Sequence, residues 1–103
     1  MSLLFHLISA GDWADAPDPY VPPGFDDLGF VHLSTARQVD IPGRALFAGR
    51  EDMLLLVLDP ARLDDVRFEE GVPPVPGELF PHLYGPLPLD AVLDVLPYRA
   101  PPS

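Results

Sequence analysis

The 103-residue chain contains no cysteine and no lysine. Without thiols there are no disulfides, thiolate nucleophiles or thiolate metal ligands, a composition that fits a reducing compartment. Without lysine, only six arginines stand against sixteen carboxylates, giving a formal net charge of -10. The average field therefore repels phosphate backbones and anionic lipid heads, so neither nucleic acid nor a membrane surface is an expected partner. Long apolar runs are missing too. The longest, Met53 to Leu58, falls far short of the roughly 20 residues that a spanning helix needs. The first ten residues are apolar but include His6 and have neither a basic flank nor a small-residue cleavage pattern, so they do not read as a signal peptide. A cytoplasmic protein is expected, as a monomer or weak homodimer. Long helices are excluded where the fifteen prolines cluster, at 17–23, 73–76 and 81–88, because each proline removes a backbone donor and fixes φ.

Short elements remain, and they fit one compact α+β domain over residues 1–103: a curved, split mixed or antiparallel sheet of about six strands with two or three short helices. Ser2 to Ile8 predicts a strand, and Ser9 the N-cap of a short helix carrying Trp13 inward and stopped by Pro17. Residues 17–27 form an ordered loop with Tyr20 and Phe25, followed by a strand over Leu28 to Leu33. Ser34 and Thr35 look like a helix cap. That helix is expected to break at Pro42-Gly43, resume over Arg44 to Ala48 and end at Gly49. Met53 to Leu58 has no alternation and predicts a central strand covered on both faces. After Asp59-Pro60 come a helical turn over Ala61 to Asp65, a strand over Val66 to Glu69 and a mobile proline-rich loop over Gly71 to Gly77. Leu79 to Tyr84 contains Pro81, which argues for an edge or bulged strand. Ala91 to Tyr98 closes the sheet and Arg99 to Ser103 frays.

All three histidines lie in related motifs: Phe30-Val31-His32-Leu33, Phe80-Pro81-His82-Leu83 and the looser Phe5-His6-Leu7. In a strand, alternate side chains share a face, so each of the first two imidazoles points where its phenyl ring points. A titratable ring on an apolar strand needs a partner or bears a desolvation cost, which marks these positions as a candidate site.

The order His6, Trp13, Tyr20, then Gly29-Phe30-Val31-His32-Leu33-Ser34-Thr35, the Met53 to Asp59 strand and Phe80-Pro81-His82-Leu83-Tyr84-Gly85 resembles the small bacterial proteins of the domain of unknown function 952 family, over nearly the whole chain. A second resemblance is to the ADP-ribosyltransferase fold, in which NAD lies in a cleft of a split sheet. It rests on His6 in the first strand and Ser34-Thr35 after a strand. Leu7 and Ile8 stand where the toxin branch of that fold has Gly, and Glu69, Glu70 and Glu78 match its catalytic Glu by position only. The basic groove of the related RNA 2'-phosphate branch has no counterpart here.

Three readings follow. In the first, a nucleotide of the NAD or ADP-ribose type binds in a cleft lined by His6, Tyr20, His32, Ser34, Thr35, His82 and Tyr84. Here His6 and His32 hold ribose hydroxyls, Ser34 amides at a helix start face a phosphate, and Tyr20 or Tyr84 stacks on a ring. Glycosyl or ADP-ribosyl transfer would then draw on His6, His32, His82 and Glu78. In the second, a non-enzymatic binding or regulatory module uses the histidines structurally. In the third, three imidazoles hold a metal with an open position.

Overall fold

The computed structural model describes residues 2–102 of the chain. Six strands, β1 (Leu4–Ser9), β2 (Val31–His32), β3 (Met53–Leu58), β4 (Val66–Glu70), β5 (Leu79–Leu83) and β6 (Val92–Tyr98), are interspersed with helices α1 (Ala10–Ala14), α2 (Phe25–Leu28) and α3 (Asp40–Phe47). They make an α+β domain with two antiparallel sheets, ordered β1-β3-β6 and β2-β5-β4. Of the mixed or antiparallel sheet expected, the described strands form only antiparallel pairs. The apolar core lies between the sheets: Leu4 and Ile8 of β1 and Leu56 and Leu58 of β3 meet Val31, Leu33 and Leu83 from the other sheet. Each fully buried leucine contributes about 1.5–3 kcal/mol by leaving water.

Several elements form as their residues dictate. Ser9 Oγ accepts from the Asp12 amide at 3.1 Å and caps α1. The apolar β3 is the middle strand of its sheet, as its lack of alternation requires. Gly49, at φ +80°, closes α3 just beyond its C-cap.

Elsewhere neighbours overrode local signals. The strand expected over 28–33 shrinks to two residues, because Phe25–Leu28 forms a helical turn between Gly24 and Gly29, both in the left-handed region. Pro42 does not break α3; it occupies the first turn, where an N–H would have no intrahelical partner anyway. Gly43 gives room to the Tyr98 ring, which abuts the site a Cβ would occupy. The turn after Asp59 is a 3-10 turn over Pro60–Arg62. Ala100 is buried, so the segment expected to fray is partly packed; its last residue, Ser103, lies outside the described residues.

Two corrections bear on the site. β5, expected to be an edge or bulged strand, is the centre of its sheet and in unbroken register with β4 despite Pro81. The Pro81 carbonyl accepts from the Leu33 amide at 3.0 Å, but proline has no N–H to return to Leu33, so the β2 pairing stops there. Ser34 then leaves that sheet and joins the other: Ser34 N donates to Phe5 O at 2.8 Å and Phe5 N to Ser34 O at 2.9 Å. Ser34 is a sheet crossover and not a helix cap, and its amide is already engaged.

Candidate functional site

The crossover brings the first two histidines together. Leu4, His6 and Ile8 share the core-facing side of β1, with His6 opposite Leu56 of β3. As the chain passes from Val31 to Ser34, the His32 carbonyl comes within 2.7 Å of His6 Nδ1. A carbonyl can only accept, so Nδ1 carries the proton and Nε2 keeps a free lone pair. Burial pushes the His6 pKa below its ordinary value, with the bond to His32 opposing and the His32 ring adding to the fall. His32, whose side chain is exposed on one side, is lowered by the partial desolvation of its ring and then by His82. Both rings are therefore neutral at pH 7.

His6 and His32 open onto a cleft of about 570 Å³. His6 to Ser9 of β1 and Ile41, Pro42 and Ala45 of α3 line it. Tyr20, Phe30 and Phe80 supply aromatic surface, and Gly71, Val72, Pro73 and Val75 of the largely exposed loop before β5 complete the lining. The His6 and Tyr20 ring centroids are 6.2 Å apart. Burial, followed by Asp12, raises the Tyr20 pKa, so its hydroxyl stays protonated. Arg50 is the one cation among the described lining residues, and it is held by Asp52 through bonds of 2.9 and 2.6 Å. A second hollow of about 630 Å³ over residues 12–27 is acidic, with Asp12, Asp15, Asp26 and Asp27, and is lined by no histidine among the described residues.

Of the residues singled out in the sequence, His6, Tyr20, His32 and Ser34 line the first cleft, whereas Thr35, Glu78, His82 and Tyr84 do not. Thr35 N donates to Gln38 Oε1 at 3.2 Å. Glu78 is gripped by Arg37 at 2.9 Å and Gln38 at 3.1 Å, which hold its carboxyl below the usual range. The amides expected to seat a phosphate are not free, since α3 starts at Asp40 and the Ser34 amide serves Phe5.

His82 is buried and does not line the cleft. It pairs with His32 across β2 and β5, their centroids 5.9 Å apart and rings at 83°. It stacks on Phe30 at 3.8 Å, nearly parallel. Its Nδ1 is 3.3 Å from Glu69 Oε1, which also accepts from the Tyr84 hydroxyl. The Tyr84 bond and His82 hold the Glu69 carboxyl below its usual value, and Glu69 in turn raises Tyr84. Arg67 covers the Tyr84 ring at 4.4 Å. The metal reading fails on geometry, because among the described residues no group of three or more His, Asp or Glu side chains is arranged to hold an ion. Sequence reasoning underweighted Glu69, which only the β4–β5 register reveals, where it stands opposite Phe80 and diagonal to His82, and did not mark Arg50, which no motif announces.

A family model described as protein of unknown function, DUF952, matches residues 7–95. The chain belongs to this family. A search of the curated proteins found no match. Solved structures of protein CC0527 from Caulobacter crescentus are similar to the DUF952 chain. One crystal structure has a TM-score of 0.81 at 26% identity, and that of a double mutant of the same protein 0.82 at 25%; each comparison covers 93% of this chain and 85% of that one. A solution structure has a TM-score of 0.75 at 24% identity, covering 96% and 86%. None of these neighbours is described as an ADP-ribosyltransferase, and that second resemblance has no support from them.

Proposed function

We propose that this DUF952 chain binds a small ligand in the His6–His32 cleft, one with a flat ring and adjacent hydroxyl donors: the nucleoside part of an NAD or ADP-ribose type molecule. The observation that carries this reading is the His6 Nδ1 bond to the His32 carbonyl, which fixes an imidazole with its acceptor nitrogen free at the edge of a cavity. A neutral Nε2 accepts from a ribose hydroxyl, and His32 lies beside it to take a second. Tyr20 and Phe30 provide surface for a ring. A volume of about 570 Å³ falls within the several hundred Å³ typical of small-molecule sites.

The same features favour binding over group transfer. Arg50 is neutralised by Asp52, so a pyrophosphate has no unpaired cation among the described cleft residues and is better accommodated at the solvent mouth. Glycosyl transfer would need a carboxylate at the anomeric carbon; Glu78 serves Arg37 and Gln38 and Glu69 serves Tyr84 and His82, which leaves Asp12 of α1 as the one carboxylate among the described lining residues. The rival reading, a module with structural histidines, draws on the same His6 bond, because it also ties β1 to β2.

The two readings separate under titration with adenosine, ADP-ribose and NAD, followed by the imidazole ¹⁵N signals and backbone amides. Binding predicts saturable shifts at His6, His32, Phe30 and Tyr20 at about 1 mM ligand or below. Silence at all four positions with every ligand leaves the structural module as the preferred account.

A further inference from the structure

His82 is 2% exposed, and its Nε2 is a buried side-chain nitrogen with no hydrogen-bond partner among the described residues. Buried polar atoms are nearly always satisfied, so an orphan one calls for an explanation. The orientation of the ring supplies a lead. With Nδ1 turned to the Glu69 carboxylate, it is Nδ1 that donates, and in the neutral form of the ring Nε2 holds the lone pair. The ring stands on the strand between β4, which holds Nδ1 through Glu69, and β2, which carries His32. Two residues that line the cleft pack on this ring: His32, perpendicular to it at 5.9 Å, and Phe30, stacked on its face at 3.8 Å. His32 is an exposed side chain on a two-residue strand. A carboxylate that fixes the tautomer and direction of an imidazole while its other nitrogen is left vacant is the arrangement by which a histidine is prepared to accept a proton or hydrogen bond.

We propose that Glu69 and His82 form an oriented pair whose Nε2 is a deeper acceptor subsite of the cleft, covered by His32, which swings aside to admit an O–H or N–H donor of the ligand. This deepens the binding reading and rests on it for the identity of the occupant. Glu69 is a positioning residue: it does not meet the ligand and acts by holding His82 in one tautomer. Tyr84 fixes Glu69 from the other side, and Arg67 over the Tyr84 ring fixes Tyr84.

Two measurements decide it. Carbethoxylation by diethyl pyrocarbonate, mapped to each histidine by mass spectrometry, reads access to a neutral imidazole nitrogen. In His32→Ala, which removes an exposed side chain, His82 is expected to react about tenfold or more faster than in the wild type, while amide exchange in β3 is unchanged, as local opening requires. An unreactive His82 in His32→Ala overturns the proposal, as does faster reaction accompanied by general loosening of β3. In the second measurement, Glu69→Ala should shift the His82 imidazole ¹⁵N signals toward a tautomer average, with His6 unaffected; unchanged signals count against Glu69 as the orienting group. Adenosine that moves the His6 and His32 imidazole signals must also move that of His82, and failure to do so overturns the subsite while leaving binding intact. If adenosine, ADP-ribose and NAD all leave them unmoved, the binding reading falls and carbethoxylation alone judges the subsite.

Discussion

His6 combines a core position with a proton-binding group. It lies between Leu4 and Ile8 on the buried side of β1 and is kept neutral chiefly by burial. In the unfolded chain it regains the ordinary value near 6.5. The unfolded state therefore binds more protons over the pH range between the lowered folded value and 6.5, and stability is complete above that range and falls as pH drops through it. The melting temperature should decline below pH 6.5, before carboxylate protonation begins. His6→Asn, which keeps a donor for the His32 carbonyl but does not titrate, should flatten that slope; an unchanged slope would remove His6 as its source, leaving His32, which is lowered in the same direction. The Phe-x-His spacing showed in the sequence that imidazole and phenyl would share a face, and Phe30 and His32 do line the cleft together. Which imidazole is walled off was not legible, because it depends on the pairing of His32 with His82 across two strands remote in the chain.

At the scale of elements, Gln38 joins parts that do not otherwise pair. It is 2% exposed, accepts from the Thr35 amide, and donates to Glu78 and, at 2.7 Å, to the Leu79 carbonyl. It thereby fastens the turn before α3 to the start of β5. Gln38→Ala removes the partner of a part-buried carbonyl and amide and should cost about 1 kcal/mol in urea unfolding; a cost near zero would mean that water takes over these bonds. Ser9 and Met53 to Leu58 are readable from sequence because a cap and a two-sided strand are decided by adjacent residues. Ser34-Thr35 is not, because a hydroxyl pair after a strand has the same local chemistry whether the chain turns into a helix or crosses to another sheet. Pro81 misleads for a related reason: its missing donor excludes one partner bond, and the structure uses that loss to end β2 while keeping β5 central.

For the molecule as a whole, the acidic excess acts on stability. A net charge of -10 on 103 residues repels itself more when compact than when unfolded. Raising sodium chloride from about 10 mM to about 1 M shortens the screening length from roughly 30 to 3 Å, so the melting temperature should rise. A fall would show that attractive pairs such as Arg50–Asp52 and Arg37–Glu78 outweigh the repulsion. The division into two sheets and the order of their strands could not be read from composition or periodicity, since β1-β3-β6 and β2-β5-β4 each join segments far apart in sequence.

The passage from Val31 to Ser34 has a consequence for how such chains can diverge. Within four residues it satisfies one partner in each sheet and fixes the direction of His32. Gaining or losing a single position there would reverse the alternation and turn the imidazole into the hydrophobic interior. Length is therefore rigidly constrained along this short span, whereas the proline-rich rim from Val72 to Pro76, largely exposed, has latitude to grow or shrink and so to reshape the entrance without disturbing the histidines beneath.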